Sequence, residues 1–233
     1  MKRDTTIVVV LLAALLVVGI TGHRLTGTTV LLLAVLVPSV ILHEVAHGVV
    51  AMAYGDDTAK RAGRLTLNPI KHVDPLGTIV LPVILALSGF AVFGYAKPVP
   101  VNPRRMRDPR NNSLVVSLAG PATNVALAVL ALVFLRWQHP FLLSTTSGPL
   151  TQRVPYLFGI INVVLAVFNM IPIPPFDGSA VIERFLPDNW RSGWARVRQY
   201  GLPVFVVIVL LRPQVLSRLF NPAFELWARG LGP

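Results

Sequence analysis

The sequence predicts an all-α polytopic membrane protein with about six apolar segments, five of them spans and one re-entrant, and with a short β element on the cytoplasmic side. Apolar residues make up 54% of the 233 residues and charged residues only 13%. A soluble domain carries about 25% charged residues. Long runs such as 7–20 and 29–41 contain no charge at all, which is typical of helices that cross a bilayer.

The basic residues lie mainly in the gaps between these apolar runs, and they give a net charge of +11. That distribution favours anchoring to an anionic lipid surface and argues against a nucleic-acid partner. The chain has no cysteine, so disulfides and thiolate metal ligands are excluded.

The N-terminal apolar run, 5–21, follows Lys2 and Arg3 and so resembles a signal peptide. No small-x-small cleavage site follows it, and we therefore expect an uncleaved first helix. The second predicted helix, 28–54, begins after a turn at 22–27.

The stretch from 58 to 74 is polar, and Arg64–Leu67 alternates within it like a short strand. An apolar segment at 75–95 follows, which Pro82 and Gly89 interrupt. Residues 94–103 are expected to be extended because they contain three prolines in six positions.

The remaining segments follow from hydropathy and periodicity. The predicted elements are a span at 113–135, a connector at 136–152, a span at 154–171, an amphipathic stretch at 181–200 and a short apolar segment at 201–211.

The pattern His-Glu-x-x-His, formed by His43, Glu44 and His47, lies inside the second predicted helix. Helical spacing places the two histidines one turn apart on one face, where they can share a metal ion. Glu44 can then serve as general base towards the water that the metal activates. Ionisable groups at bilayer depth are costly and usually functional, which disfavours a merely structural pair.

A catalytic zinc site needs a third protein ligand. Asp177 follows a helix end broken by Pro172, Pro174 and Pro175, where unpaired carbonyls indicate a wet cavity. An ordinary Asp-Gly turn is the alternative at this position. The other candidates are His23, His139, Glu183 and Asp188.

Three motifs in order resemble the site-2 protease family of intramembrane zinc metalloproteases, which are M50-like peptidases. The motifs are His43-Glu44-x-x-His47, Gly120-Pro121-x-x-Asn124 and Asn169-x-x-Pro172-x-Pro174-x-x-Asp177-Gly178.

The resemblance implies one Zn²⁺ per chain, held by His43, His47 and Asp177, with Glu44 as the base. It also implies that Asn169 contacts the substrate or the developing oxyanion. Supporting roles fall to Gly120, Pro121, Asn124, Pro172, Pro174 and Gly178.

The implied activity is endoproteolysis in or near a transmembrane segment of another membrane protein, as in regulated intramembrane proteolysis. The extended segment 95–101 resembles the edge elements by which such enzymes hold unwound substrate. We expect a single domain over 1–233, with a core at 28–178 and no soluble regulatory domain, in a bacterial or archaeal cell membrane.

Charge bias predicts the orientation. If 75–95 enters and returns on the cytoplasmic side, fifteen of the 21 Lys and Arg residues lie in the cytoplasm. The six left outside are Arg24, Arg136, Arg153, Arg212, Arg218 and Arg229. The positive-inside rule then places the N-terminus and the active-site opening in the cytoplasm.

A non-proteolytic membrane zinc carrier or sensor is the alternative function. A carrier needs a polar path through both halves of the membrane, whereas the polar groups here collect towards one side. Glu44 is also a base for which a carrier has no use.

Overall fold

The computed structural model describes residues 27–74, 97–138, 148–212 and 214–231. Within these ranges the regular structure is entirely helical. The α-helices are α1 (Gly27–Ala53), α2 (Thr58–Arg61), α3 (Pro109–Gln138), α4 (Leu150–Asn169), α5 (Ser179–Phe185), α6 (Arg191–Leu211) and α7 (Gln214–Leu231). Short 3₁₀ turns occur at Pro69–His72, Pro103–Arg105 and Asp188–Trp190.

Among the described helices, three are long and apolar enough to cross a membrane, namely Leu31–Ala53, Pro109–Gln138 and Leu150–Asn169. They confirm the spans predicted at 28–54, 113–135 and 154–171. A bent pair, Arg196–Val209 with Gln214–Leu231, passes the same test if the two helices are counted as one span with a 91° bend. The protein is therefore an integral membrane protein.

Helices α1, α3 and α4 pack against one another in pairs and form the bundle that carries the site. Small side chains let them approach closely, as expected where lipid offers no hydrophobic drive for association. Ala128 and Ala131 of α3 are buried in the contact. Gly159 of α4 has no room for a Cβ, because the Trp227 ring of α7 would lie 2.0 Å from it.

An aromatic cluster supports the loop after α4. Phe176, in that loop, packs edge-on against Phe168 of α4 and Phe205 of α6, with centroids 4.5 and 5.0 Å apart. Phe220 of α7 stacks on Phe168 from another side. The two C-terminal helices therefore buttress the loop that carries Asp177.

The predicted strand at Arg64–Leu67 is wrong, and the part of the chain that the structure describes contains no strand. Arg64 turns inwards, and its guanidinium donates to the carbonyl of Lys97 at 2.6 Å. The carbonyl of Thr66 accepts a hydrogen bond from the His72 ring at 2.8 Å. The Arg64 amide donates to the Ala59 carbonyl and the Thr66 carbonyl accepts from a side chain, so this stretch pairs with no second strand.

The C-terminal region also differs from the prediction. The stretch at 181–200 is not one helix, because Pro187 stops α5 and disfavours helical geometry at the residue before it. The apolar segment 201–211 continues α6 instead of forming its own element. Helix α7 was missed, since polar and charged residues interrupt its apolar ones beyond Pro213.

The first predicted helix, 5–21, lies outside the described residues. The same holds for the predicted re-entrant segment at 75–95.

Candidate metal centre

His43 and His47 meet at the C-terminal half of α1, as the four-residue spacing requires. Their rings stand edge to face with centroids 4.7 Å apart. The two Nε2 atoms lie 3.1 Å from each other, and both residues are more than nine-tenths buried.

Asp177 completes the cluster from the loop after α4. Its Oδ2 lies 3.1 Å from Nε2 of His43 and 3.3 Å from Nε2 of His47. A hydrogen bond of 2.6 Å from the Gly178 amide to the Asn169 carbonyl closes the loop. Gly178 is required here because a Cβ would lie 2.3 Å from the Met170 carbonyl oxygen.

Hydrogen bonds to the far side of each ring determine where the protons lie. Nδ1 of His43 is 2.5 Å from Oδ1 of Asn124, and Nδ1 of His47 is 2.7 Å from the Val116 carbonyl oxygen. Both partners are acceptors, so each imidazole carries its proton on Nδ1 and turns the Nε2 lone pair towards Asp177.

When both rings are neutral, three acceptor atoms therefore converge with no hydrogen between them. Oδ2 of Asp177 is buried and makes no hydrogen bond. A cation bound between the three atoms would remove their mutual repulsion. His43, His47 and Asp177 form the group that could hold a metal ion in the described part of the chain. Tetrahedral zinc with bonds of about 2.0 Å sets its ligand atoms about 3.3 Å apart, which matches the distances here.

The Gly-Pro-x-x-Asn motif lies in α3 directly against the two rings. A Cβ on Gly120 would be 2.4 Å from Nε2 of His47 and 2.6 Å from Nε2 of His43. Pro121 is buried beside it, and Asn124 one turn on is fully buried. The motif therefore brings the α3 backbone up to the cluster and supplies the partner of the first histidine.

Glu44 is half-buried beside the cluster and faces the chain segment 97–102. Its Oε2 accepts a hydrogen bond of 2.7 Å from the Val99 amide. The Val99 side chain packs on Gly48, where an added Cβ would lie 3.0 Å from it. Segment 97–102 is non-helical as expected, and it lies against the residue proposed as base.

Two further residues hold this segment in place. Arg64 binds its first carbonyls, as described above, and the fully buried Asp56 accepts the Asn102 amide at 2.6 Å. Burial alone would raise the pKa of Asp56. Hydrogen bonds from the Thr58 hydroxyl and from the Asn102 and Thr58 amides, with the Arg105 guanidinium nearby, hold that pKa below its ordinary value instead.

The remaining candidates have varied surroundings. The side-chain amide of Asn169 donates to the Leu165 carbonyl at 3.0 Å. Pro172 is exposed, and Pro174 is buried with its carbonyl against Gly201 of α6.

Glu183 forms an ion pair with Arg198 and accepts a hydrogen bond from Trp194, and it does not join the cluster. His23 and His139 lie outside the described residues.

Sequence reasoning missed two polar residues behind the cluster, Ser39 and Asn162. Both are fully buried in the bundle. Their signal in the sequence is a polar side chain inside an apolar span, and such positions are seldom occupied without a partner.

Comparison with known proteins gives consistent results. The profile of peptidase family M50 matches residues 31–152 and 143–212. YwhC of Bacillus subtilis, named as a candidate zinc metalloprotease, is 42% identical over 183 residues, which cover 76% of this chain and 78% of YwhC. Rip2 of Mycolicibacterium smegmatis, also named as a candidate zinc metalloprotease, is 36% identical over 202 residues, which cover 86% of this chain and 72% of Rip2.

The archaeal protein MJ0611 of Methanocaldococcus jannaschii, also named as a candidate zinc metalloprotease, is 34% identical over 166 residues. Those residues cover 70% of this chain and 71% of MJ0611. No solved structure matches the chain.

Proposed function

Because this chain belongs to peptidase family M50, and is therefore a membrane zinc metalloprotease, we propose that it hydrolyses peptide bonds in or near a transmembrane segment of another membrane protein. The observation that carries the proposal is the convergence of His43, His47 and Asp177 between apolar helices of spanning length. A protease centre placed there acts on membrane substrates, as in regulated intramembrane proteolysis. The family also favours a protease over a zinc carrier or sensor.

We assign the Zn²⁺ ligands as Nε2 of His43, Nε2 of His47 and a carboxylate oxygen of Asp177. Three protein ligands leave a fourth position open for water or substrate, as in catalytic zinc sites. When bound, the zinc supplies Lewis-acid polarisation of the scissile carbonyl and activates the attacking water.

Glu44 is the proposed proton carrier. Its carboxylate takes a proton from the attacking water and returns it to the nitrogen of the leaving amine. The Val99 amide holds one of its oxygens, so the carboxylate is already oriented before substrate arrives. Asn169 remains the proposed contact to the substrate carbonyl or the developing oxyanion.

Segment 97–101 is the proposed binding site for the unwound part of the substrate. A transmembrane helix hides its carbonyls, so it must open locally, and pairing with an extended neighbour compensates the lost bonds. The amides of Lys97 and Val99 are already donated, to the His72 carbonyl and to Glu44. Pro98 and Pro100 have no amide hydrogen, and the Pro98 carbonyl already accepts from the Arg64 guanidinium at 3.4 Å. We therefore propose the carbonyl of Pro100 as the acceptor for a substrate amide.

We propose a topology of five spans and one re-entrant segment, with the N-terminus and the active-site opening in the cytoplasm. The Arg107 amide donates to the Tyr54 carbonyl at 3.2 Å, and the Lys97 amide donates to the His72 carbonyl at 2.9 Å. The chain therefore leaves α1 and returns to α3 on one side of the bundle. This connection supports the re-entrant assignment, and the fifteen basic residues support the cytoplasmic side.

A zinc and cleavage assay on purified protein tests the function. The probe is a labelled single-span model protein reconstituted in the same bilayer. We expect cleavage that a chelator abolishes, about one zinc per chain, and loss of that zinc when His43 and His47 are both changed to Ala.

The variant Glu44→Gln tests whether Glu44 acts as the base and not as a zinc ligand. It keeps the size and hydrogen bonding of the side chain but removes the base, so zinc should remain while cleavage disappears. Full zinc content in the double histidine variant would refute the ligand assignment. Loss of zinc in Glu44→Gln would make Glu44 a ligand or a structural residue.

A further inference from the structure

A line of buried polar side chains runs away from the cluster through three helices. Nδ1 of His43 is bonded to Oδ1 of Asn124, whose Nδ2 donates to Oδ1 of Asn162 at 2.7 Å. Nδ2 of Asn162 in turn donates to Oγ of Ser39 at 2.9 Å. Ser39, Asn124 and Asn162 are each 0% exposed and lie on α1, α3 and α4. We call these three residues the polar relay.

The relay ends on two groups that can only accept hydrogen bonds. The Ser39 hydroxyl donates to the Val35 carbonyl at 2.7 Å, so its oxygen is left to accept. The second amide hydrogen of Asn162 points at the Phe158 carbonyl, 2.8 Å away. Both backbone carbonyls are fixed acceptors. The NH₂ group of Asn162 must therefore face the Ser39 oxygen and the Phe158 carbonyl, and its own oxygen must face Asn124 on α3.

The direction of every other bond in the relay follows. Asn124 must present its NH₂ group to the oxygen of Asn162, and so it turns its own oxygen towards His43. An oxygen there requires the proton of His43 to sit on Nδ1, which leaves the Nε2 lone pair free. His47 needs no relay, because its Nδ1 meets the Val116 carbonyl directly.

We propose that Asn162 and Ser39 are positioning residues, which fix the tautomer and ring orientation of His43 through Asn124. The inference rests on the proposed role of His43 as a zinc ligand. Partners of metal-bound histidines set the tautomer in this way, and their loss weakens metal binding 10–100-fold. Here the determining groups lie further from the ring than Asn124. Asn162 on α4 is one hydrogen bond beyond Asn124, and Ser39 on α1 is two hydrogen bonds beyond it.

A purely structural role for these residues makes a different prediction. Amides that only join helices within a bilayer contribute to stability, so their removal lowers the melting temperature but leaves the zinc affinity of the folded protein unchanged. The positioning role instead changes the affinity of folded protein and the protonation pattern of one ring.

The experiment uses full-length protein in detergent, with zinc affinity measured by competition with a chelator. Asn162→Leu should weaken zinc binding by about 10–100-fold. The ¹⁵N shifts of metal-free protein should show the Nδ1–H form of His43 in wild type and a mixture of tautomers in the variant. Gly159→Ala is the matched control, because it disturbs the contact of α4 with Trp227 but not the relay.

A rescue variant makes the test sharp. Asp at position 124 has only acceptor oxygens, so it holds the proton on Nδ1 of His43 without help from Asn162. The double variant Asn124→Asp/Asn162→Leu should therefore recover most of the zinc affinity. A structural role predicts no recovery, because a carboxylate buried there adds a desolvation cost.

Ser39→Ala covers the case in which Asn162→Leu does not fold. It removes one hydroxyl, and it should allow the Asn162 amide to rotate and weaken zinc binding less than Asn162→Leu does. Ser39→Thr keeps the hydroxyl and should bind zinc as wild type does. Unchanged affinity and an unchanged His43 tautomer in the relay variants would overturn the proposal. Zinc retained by the double histidine variant would instead overturn the function from which it starts.

Discussion

At the scale of single residues, the site depends on atoms that face each other without a proton between them. Both imidazoles donate through Nδ1 to protein oxygens, and Oδ2 of Asp177 faces their Nε2 lone pairs at 3.1 and 3.3 Å. A divalent cation between these atoms turns their mutual repulsion into attraction. The arrangement therefore fits a metal ion.

Mutation can distinguish the proposed role of Asn169 in substrate contact from that of Asp177 as a zinc ligand. Asp177→Ala should lose zinc and cleavage together, because it removes the charged ligand. Asn169→Ala should keep zinc and slow cleavage by about 10²-fold, the usual effect of losing one transition-state donor. Zinc content and kcat of the two variants check this.

The bond from Asn169 to the Leu165 carbonyl supplies the structural alternative. Thermal unfolding decides between the two roles. If Asn169→Ala melts much earlier and loses activity only in proportion to its unfolded fraction, the residue merely ties down the end of α4.

At the scale of elements, the site depends on the close approach of α3 to the histidines of α1. Helix α3 reaches the histidines of α1 only because residue 120 has no side chain. Segment 97–102 is held by three anchors, Arg64, Glu44 and Asp56, at successive points along its length. Helix packing thus places the ligands, and the anchored segment covers the base.

Gly120→Ala should abolish zinc binding. The new methyl group would lie within 2.6 Å of both Nε2 atoms, in the space towards which the ligand atoms point. Gly193→Ala in α6 is the control, since a Cβ at Gly193 meets nothing within 4 Å. Zinc stoichiometry measured by plasma emission should fall only in the first variant, and full loading of Gly120→Ala would mean that α3 lies further from the rings.

Asp56 should make stability depend on pH on the acid side. Its folded-state pKa is below the ordinary value, so its stabilising contribution is complete above that value and is lost as the pH falls through the folded pKa. Asp56→Asn puts an amide group against a buried N–H donor and should cost about 1–3 kcal/mol at pH 6. The difference from wild type should shrink below about pH 4.

Thermal unfolding of both proteins at pH 6 and pH 3 measures that difference. Asp57→Asn is the matched control, because Asp57 is a neighbouring, partly exposed carboxylate that forms ion pairs with Arg61 and Arg105. A difference between Asp56→Asn and wild type that is the same at both pH values would mean that the Asp56 charge does not anchor the segment.

At the scale of the whole molecule, polar and charged groups are distributed unevenly along the bundle. The metal cluster, Glu44 and segment 97–102 all lie near the end where α1 stops and α3 begins. The opposite end joins α3 to α7 through a bond of 2.9 Å from Arg136 to the Gly230 carbonyl. Among the described residues, the groups of the proposed site thus collect towards one end of the bundle. The proposed intramembrane hydrolysis requires this, because water must reach the site without a path through the whole bilayer.

A single cysteine in this cysteine-free chain tests the orientation. Arg107→Cys, beside the start of α3, should react with a membrane-impermeant thiol reagent only from the cytoplasmic side. Gln138→Cys, at the other end of the same helix, should react only from outside. The reverse labelling pattern would contradict the positive-inside argument.

Asp177 was assigned only through the family resemblance, but the membrane class, three of the spanning helices and the position of His43 and His47 on one helix face were determined by the sequence itself. These follow from hydropathy and from residue types and spacing, which act locally along the chain. Helix α7 and the break at Pro187 were not predicted, and the strand at Arg64–Leu67 was wrong. The break at Pro187 is a local effect of proline. The packing of helix α7 and the absence of a strand at Arg64–Leu67 depend on distant partners of the side chains and the backbone.

Only the tertiary structure decided how the site is held. Gly120 matters because of the rings that stand opposite it, and Asn162 and Ser39 matter because three helices bring them into line behind His43. Nothing local in the sequence marks such pairs, which are 38 and 123 positions apart. The contacts arise from helix packing, because buried polar groups in a bilayer must find partners on neighbouring helices.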